Sequence, residues 1–155
     1  RNSSMPVTLR DITRHNWREC VNLTIRPDQQ HFVETNAVSM AQARYEPEWI
    51  PLAVYDGAAM VGFVMYGIAL EDHQHWILRV MVDTAHQGKG YGRAAMRELL
   101  ARMRNDPACD EIFIDFAPDN AVAEALYLSL GFEKTGAIVK GEVVARLSVR
   151  QREPS

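Results

Sequence analysis

The stretch "HQGKGYGRAAM", residues 86–96, decides how the rest of the chain is read. It sets Gly88, Gly90 and Gly92 within five positions, and a helical pattern begins at once behind them. Just upstream, "HWILRVMVD" (75–83) is the most strand-like run of the chain. A strand that passes through a glycine turn into a helix delivers a helix N-terminus, whose unpaired N–H groups and partial positive charge suit a phosphate. Glycines there remove the side chains that would hold a large anion away from the backbone amides. Arg93 falls just inside the helix, flanking its core stripe and within reach of a further phosphate.

Outward from the loop, periodicity gives the remaining elements. "VTLRDI" (7–12) alternates apolar and polar residues as a half-buried strand does. "RHNWRECVNLTI" (14–25) puts Trp17, Val21 and Ile25 on one side of a helix that stops before Pro27. Asn36 is placed to cap a second helix running to about Arg44. "PLAVYDG" (51–57) and "AAMVGFVMYGIA" (58–69) read as two strands around a turn at Asp56-Gly57. Behind the glycines, Met96, Leu99, Leu100 and Met103 recur as a core-facing stripe, and Pro107 ends that helix. "EIFIDF" (111–116) is a buried strand. "NAVAEALYLSLGF" (120–132) is a helix capped by Asn120 and closed by Gly131, with Val122, Ala125, Leu126 and Leu130 as its core face. "EKTGAIV" and "EVVARLSV" close the chain as two strands around Lys140-Gly141. The expected order is β-α-α-β-β-β-α-β-α-β-β, a mixed sheet with helices on it.

Composition narrows the function. At 155 residues the chain suits a single domain, expected over 5–150, with "RNSS" (1–4) read as a cloning remnant. A net charge of -3 leaves no basic footprint for nucleic acid. No apolar run is long enough to span a membrane, and the N-terminal stretch lacks the apolar region of a signal peptide, so a cytoplasmic protein is expected. Cys20 and Cys109 lie far apart without ligand-like spacing and read as free thiols; no metal is expected. Residues 26–75 hold seven acids against Arg26 and Arg44, which favours a cationic ligand.

Three phosphate-binding loops compete for the glycines. The Walker loop needs a Lys-Ser or Lys-Thr pair that is absent, and the dinucleotide loop needs GxGxxG where this chain has GxGxG after four strands. The third fits: Gln87-x-x-Gly90-x-Gly92 resembles the Q/R-x-x-G-x-G/A loop of the GNAT N-acetyltransferase family, which binds the pyrophosphate of acetyl-coenzyme A. "PDNAVAEALYLSLGFEKTG" (118–136) resembles the family's second signature, and the element order is similar from Val7 to Val149. Within the family the chain looks most similar to bacterial spermine/spermidine acetyltransferases, on "IRPDQQHFVETNAVSMAQA", "PLAVYDG" and "GFVMYG".

The resemblance implies the acyl-CoA N-acyltransferase fold, an α/β arrangement with a mixed, largely antiparallel sheet of about seven strands and helices on both faces. It implies direct attack of a primary amine on the thioester of acetyl-CoA, with no metal. The loop residues Gln87, Gly88, Lys89, Gly90, Tyr91, Gly92 and Arg93 are then the pyrophosphate site. The strand "LRVMV" splays from "IFIDF", and the backbone of Val80, Met81 and Val82 binds the pantetheine arm, with the Met81 amide on the thioester carbonyl. Asn120 doubles as cap and coenzyme contact, and Tyr127, a phenol of pKa about 10, is the general acid toward the departing thiolate. Glu34 is the first choice of base, with Asp115 and Glu142 next, and the same carboxylates suit a polyamine's remaining ammonium groups. His73 and His75 are further candidates beside an expected turn. Many relatives form homodimers, but no interface is legible here. Two alternatives stand beside the polyamine: another amine (amino acid, aminoglycoside or protein N-terminus), and a CoA-binding sensor without catalysis.

Overall fold

In the computed structural model, which describes residues 6–150, β1 (Thr8–Asp11) leads through α1 (Trp17–Asn22) and α2 (Asn36–Tyr45) to β2 (Trp49–Asp56), β3 (Ala59–Ile68) and β4 (His75–Val82). Then come α3 (Tyr91–Arg104), β5 (Glu111–Phe116), α4 (Ala121–Ser129), β6 (Glu133–Val139) and β7 (Glu142–Ser148). The stretch read as a cloning remnant, and Met5 after it, lie outside the described residues. The element order is the expected one.

The strands form one sheet in the order β1-β2-β3-β4-β5-β7-β6, antiparallel throughout except for the parallel pair β4–β5. Both faces are covered, which is why β2 and β3 read as nearly continuous apolar runs. On one face Leu52, Val54, Val61, Val64 and Ile77 pack under α3 through its stripe Met96, Leu99, Leu100 and Met103. On the other, Ala53, Tyr55, Phe63 and Met65 meet Cys20 of α1 and Met40 and Ala43 of α2. The β6–β7 connection is a two-residue turn with positive φ at both Lys140 (53°) and Gly141 (81°), matching the twist of the hairpin.

One irregularity positions everything that follows. β3 pairs with β4 as Met65↔Arg79 and then Tyr66↔Ile77, so Leu78 is an extra residue, a bulge in β4. Parallel pairing with β5 covers His75↔Ile112, Trp76↔Phe113 and Ile77↔Ile114, and stops there. A bulge bends its strand and adds local twist, and beyond Leu78 strand β4 leaves β5. The bulge also breaks the alternation of faces. Leu78 packs on the α1–α2 side, and Arg79, the next residue, bonds Gln42 on that same side.

Three sequence expectations are corrected. First, α1 ends at Asn22 rather than reaching Ile25, and Leu23 is already extended. Thr24 is captured elsewhere: its N–H donates to Asp83 Oδ1 (2.8 Å), and its carbonyl accepts from the Thr84 N–H (2.7 Å). Second, the cap of α2 is Thr35, whose hydroxyl accepts from the Val38 N–H (3.2 Å). Asn36 is buried instead and its Nδ2 donates to the Cys20 carbonyl (2.9 Å), tying α2 to α1. Third, the core face of α4 is Ala123, Leu126, Tyr127 and Leu130, an i, i+3, i+4, i+7 set. Val122 is 71% exposed while Tyr127 is 8% exposed between the rings of Phe116 and Phe132. Nearly every residue of that helix is apolar, so periodicity alone admits two faces.

This correction is measurable. Val122→Ala is expected to shift stability by less than about 0.5 kcal/mol, whereas Leu99→Ala, in the core under the sheet, should cost about 2–5 kcal/mol. Urea unfolding of the two variants measures both.

Candidate active site

The chain leaves β4 through Asp83, makes a short turn at Thr84–His86 and enters the glycine loop. Gly88 (φ +78°) and Gly90 (φ +90°) hold the left-handed region that L side chains rarely adopt. Nothing lies within 4 Å of a Cβ built at either position, so conformation rather than crowding demands glycine there. Gly92 is ordinary helix, its Cβ position in contact range of Leu126 and Val82. Helices α2 and α4 are capped by the side chains of Thr35 and Asn120, but Gly90 offers α3 none. The first N–H groups of α3 therefore point from a bare helix end, a site for an anion.

Two side chains fasten the loop. The Gln87 amide donates to the Val82 carbonyl (2.9 Å) and to Gln29 Oε1 (3.0 Å). The Tyr91 hydroxyl donates to Asp56 in a short hydrogen bond, and that bond raises the phenol above its ordinary range. Tyr91 is thus an anchor by its hydroxyl, and it also lines the groove.

The divergence of β4 from β5 opens two cavities, each of about 390 Å³. The first is a groove from the glycine loop along Val80, Met81 and Val82, with Asn120, Ala123 and Leu126 of α4 opposite. The second is a polar pocket holding Glu34, Arg79, Asp115 and Glu142. Phe32, Val33, Val80 and Tyr127 line both, so the cavities meet across these four residues. The segment between α1 and α2 is therefore common wall to both, held in place by Thr24 on Asp83 and Gln29 on Gln87.

Burial governs the electrostatics. It pushes the Tyr127 phenol far up, with Asp115 and Glu142 adding to the effect, so the group stays protonated. That is well above the pKa of about 10 that the side chain has in water, and it leaves Tyr127 a neutral hydroxyl on the wall that both cavities share. The Asp115 carboxyl is raised by burial and partly restored by Arg79. Glu142 is raised by burial and by Asp115, and Arg79 again opposes the rise.

Asn120 both caps α4, accepting from the Ala123 N–H (3.2 Å), and lines the groove. Glu34, Asp115 and Glu142 are brought together from a loop, β5 and β7. Lys89 and Arg93 belong to the loop and helix but do not line the groove. His73 and His75 line neither cavity: His73 sits in a turn at φ +58°, and His75 Nε2 lies 3.1 Å from Asp106. Of the seven acids in residues 26–75, only Glu34 faces the pocket. Asp56, for example, serves Tyr91, and Glu46 bonds Trp49 Nε1. Both cysteines are fully buried, and burial pushes Cys20 up to about 12, as inert packing residues require. Among the described residues no group of three or more His, Cys, Asp or Glu side chains is placed to hold a metal ion. None of their helices is long and apolar enough to cross a membrane.

Arg79 was not singled out from the sequence, although the signal was there: one charge inside the apolar run "ILRVMV". A cation placed there must find partners or water.

Comparison with known proteins bears on the family and the fold. The sequence matches the acetyltransferase (GNAT) family over residues 9–132. A spermine/spermidine N(1)-acetyltransferase of Bacillus subtilis (strain 168) is 26% identical over 140 residues, covering 86% of this chain and 92% of the relative. The N-alpha-acetyltransferase RimI of Mycobacterium tuberculosis is 30% identical over 138 residues, covering 84% of this chain and 81% of the relative. Among solved structures, AAC(6')-Ib in complex with paromomycin and acetyl-CoA superposes with a TM-score of 0.79 at 22% identity, covering 93% and 94% of the two chains. At that identity the likeness is one of fold.

The state of Tyr127 has a direct readout. Its phenol is expected to remain neutral at a pH where a tyrosine in water ionises, so alkaline difference absorbance at about pH 11 should be the same for the wild type and Tyr127→Phe while both stay folded. A smaller signal in the variant would show that Tyr127 titrates normally.

Proposed function

Since the chain belongs to the acetyltransferase (GNAT) family, we propose that it transfers the acetyl group of acetyl-CoA to a primary amine of a polyamine such as spermidine or spermine. The observation that carries this reading is the convergence of Glu34, Asp115 and Glu142 on one pocket at the end of the β4 groove. Three carboxylates from three elements suit an acceptor with several ammonium groups. Acetyl-CoA supplies the thioester; its pyrophosphate fits the bare end of α3 and its arm fits the groove along Val80–Val82. The reading takes 5–150 as one catalytic domain and the cytoplasm as its compartment, where two free thiols remain reduced.

The chemistry requires a neutral amine. An alkylammonium has a pKa of about 10.4, so about one molecule in a thousand is neutral at pH 7. Asp115 is taken as the proton acceptor: it stands directly after Ile114, where β4 and β5 part, it is half-buried, and burial raises its carboxyl above the ordinary value. Glu34, the first choice from sequence, stands exposed on the outer wall and suits an ammonium group instead. The amine nitrogen attacks the carbonyl carbon, the C–S bond breaks, and the amine proton passes to Asp115 directly or through water. The Met81 amide donates to the carbonyl oxygen as charge develops, a contribution of about 2.7–4 kcal/mol for such a donor. Tyr127 lies on the wall that both cavities share and donates a hydrogen bond to the departing sulfur.

The test is CoA release with acetyl-CoA and spermidine, spermine, putrescine, lysine or kanamycin. Turnover of the polyamines is expected. Turnover of only lysine or kanamycin overturns the substrate class, and tight acetyl-CoA binding without turnover on a wider amine panel favours a sensor. Two sets of variants test the site. Gly90→Val forces a β-branched residue to φ +90° and should raise the Kd for acetyl-CoA strongly in a folded protein. Asp115→Asn should lower kcat by about 10²-fold or more. A general base works deprotonated, so activity is lost as pH falls through its pKa. With Asp115 raised, the acid limb of kcat should lie above the usual carboxylate range in the wild type and vanish in Asp115→Asn.

A further inference from the structure

Arg79 enters the proposed acetyl transfer only by opposing the rise of the Asp115 carboxyl, yet it stands among all of the pocket's carboxylates. Its hydrogen bonds go to neutral groups: Nη1 donates to the Leu78 carbonyl (3.0 Å) and Nη2 to Gln42 Oε1 (3.1 Å). Its Nε–H is buried with no hydrogen-bond partner among the described residues. The guanidinium is therefore held by the bulge and by α2, and acts on Glu34, Asp115 and Glu142 together as a fixed charge. His31 also lines the pocket, 3.9 Å from Asp119, a carboxylate that acts on Glu142 from outside the lining. Counting the lining residues alone, with the acids ionised and His31 neutral, the pocket carries three negative charges and one positive, a net of −2.

That number matters for a linear polyamine. The reacting nitrogen must be neutral, so a diamine retains one ammonium group, a triamine two and a tetra-amine three. We propose that Arg79 is a specificity-determining residue, cancelling one of the three carboxylates so that the pocket balances the two remaining ammonium groups of a triamine. This rests on the polyamine reading. It goes beyond it by naming which polyamine is matched and which residue does the matching. The bulge at Leu78 gives the device its place, since unbroken alternation would turn Arg79 toward α3 and out of the pocket.

The experiment measures kcat/KM for putrescine, spermidine and spermine in the wild type and in Arg79→Gln, Arg79→Lys and Glu142→Gln, each checked for folding by circular dichroism. The wild type should favour spermidine. Removing the cation leaves a pocket of net −3, and Arg79→Gln should raise the spermine-to-spermidine ratio about three- to tenfold, the scale of one added charge pair in a solvated site. Arg79→Lys keeps the charge and should keep the ratio. Glu142→Gln leaves net −1 and should move the preference the other way, raising putrescine relative to spermidine. A merely structural role lowers all rates together and moves no ratio. Ratios unchanged within about twofold, well inside that charge-pair scale, in folded Arg79→Gln and Glu142→Gln overturn the assignment while leaving the polyamine reading intact. If Arg79→Gln fails to fold, Arg79→Met, which also removes the charge while keeping an apolar stem, is read in its place. A wild type that acetylates none of the three amines sinks both.

Discussion

The parallel pairing of β4 with β5 ends at Ile77 and Ile114, and both cavities exist because it ends there. Leu78 is the physical cause: one residue too many for its antiparallel neighbour, it bends β4 away from β5 and turns the β5-facing edge of Val80–Val82 into a groove wall, while the other edge stays paired with β3. Backbone donors and acceptors without a strand partner must be satisfied by something else. A sheet opened in its middle is thus a preformed set of hydrogen-bonding groups for an extended ligand, and its rigidity comes from the packed layers on either side.

The same divergence separates two kinds of chemistry. On the α3 side the groove offers amides, apolar strand residues and a helix end; on the α2 side the pocket offers carboxylates and a guanidinium. Tyr127 stands on their common wall, and its burial both fixes its ring between Phe116 and Phe132 and keeps its hydroxyl protonated. Packing therefore sets both the position and the protonation of this residue. The segment between α1 and α2 closes the site from above, and it can do so because α1 stops early and Thr24 is drawn onto Asp83 and Thr84.

Most of the fold was legible in the sequence, because strand and helix periods were clean wherever one face meets a core. The stripe of α3, the seven strands and the turn at Lys140-Gly141 are of this kind. The readings that failed were those in which local pattern was silent or ambiguous. An almost wholly apolar α4 gave no unique face, and Asn36 and Thr35 are both good caps, so only tertiary burial of Asn36 separates them. The end of α1 depends on hydrogen bonds to residues about sixty positions away. In the site, Glu34, Asp115 and Glu142 could be named one by one from sequence, but their meeting, and the cation among them, depends on a bulge that no local pattern announces.

Helix α3, the longest of the described helices, is the one of the three long helices without a side-chain cap. A capping Ser, Thr, Asp or Asn is worth about 1 kcal/mol to a helix, and the left-handed glycine at its start forgoes it. The sheet side of α3 is strong enough to tolerate that deficit through Met96, Leu99, Leu100 and Met103. An anion seated on the bare amides makes it good, and any ligand that binds only the folded chain adds stability in proportion to the logarithm of its concentration. On the proposed reading, with the coenzyme's pyrophosphate at the glycine loop, the protein's survival is tied to its supply of coenzyme: a chain without ligand stands nearer to unfolding, and to proteolysis, than one that is loaded.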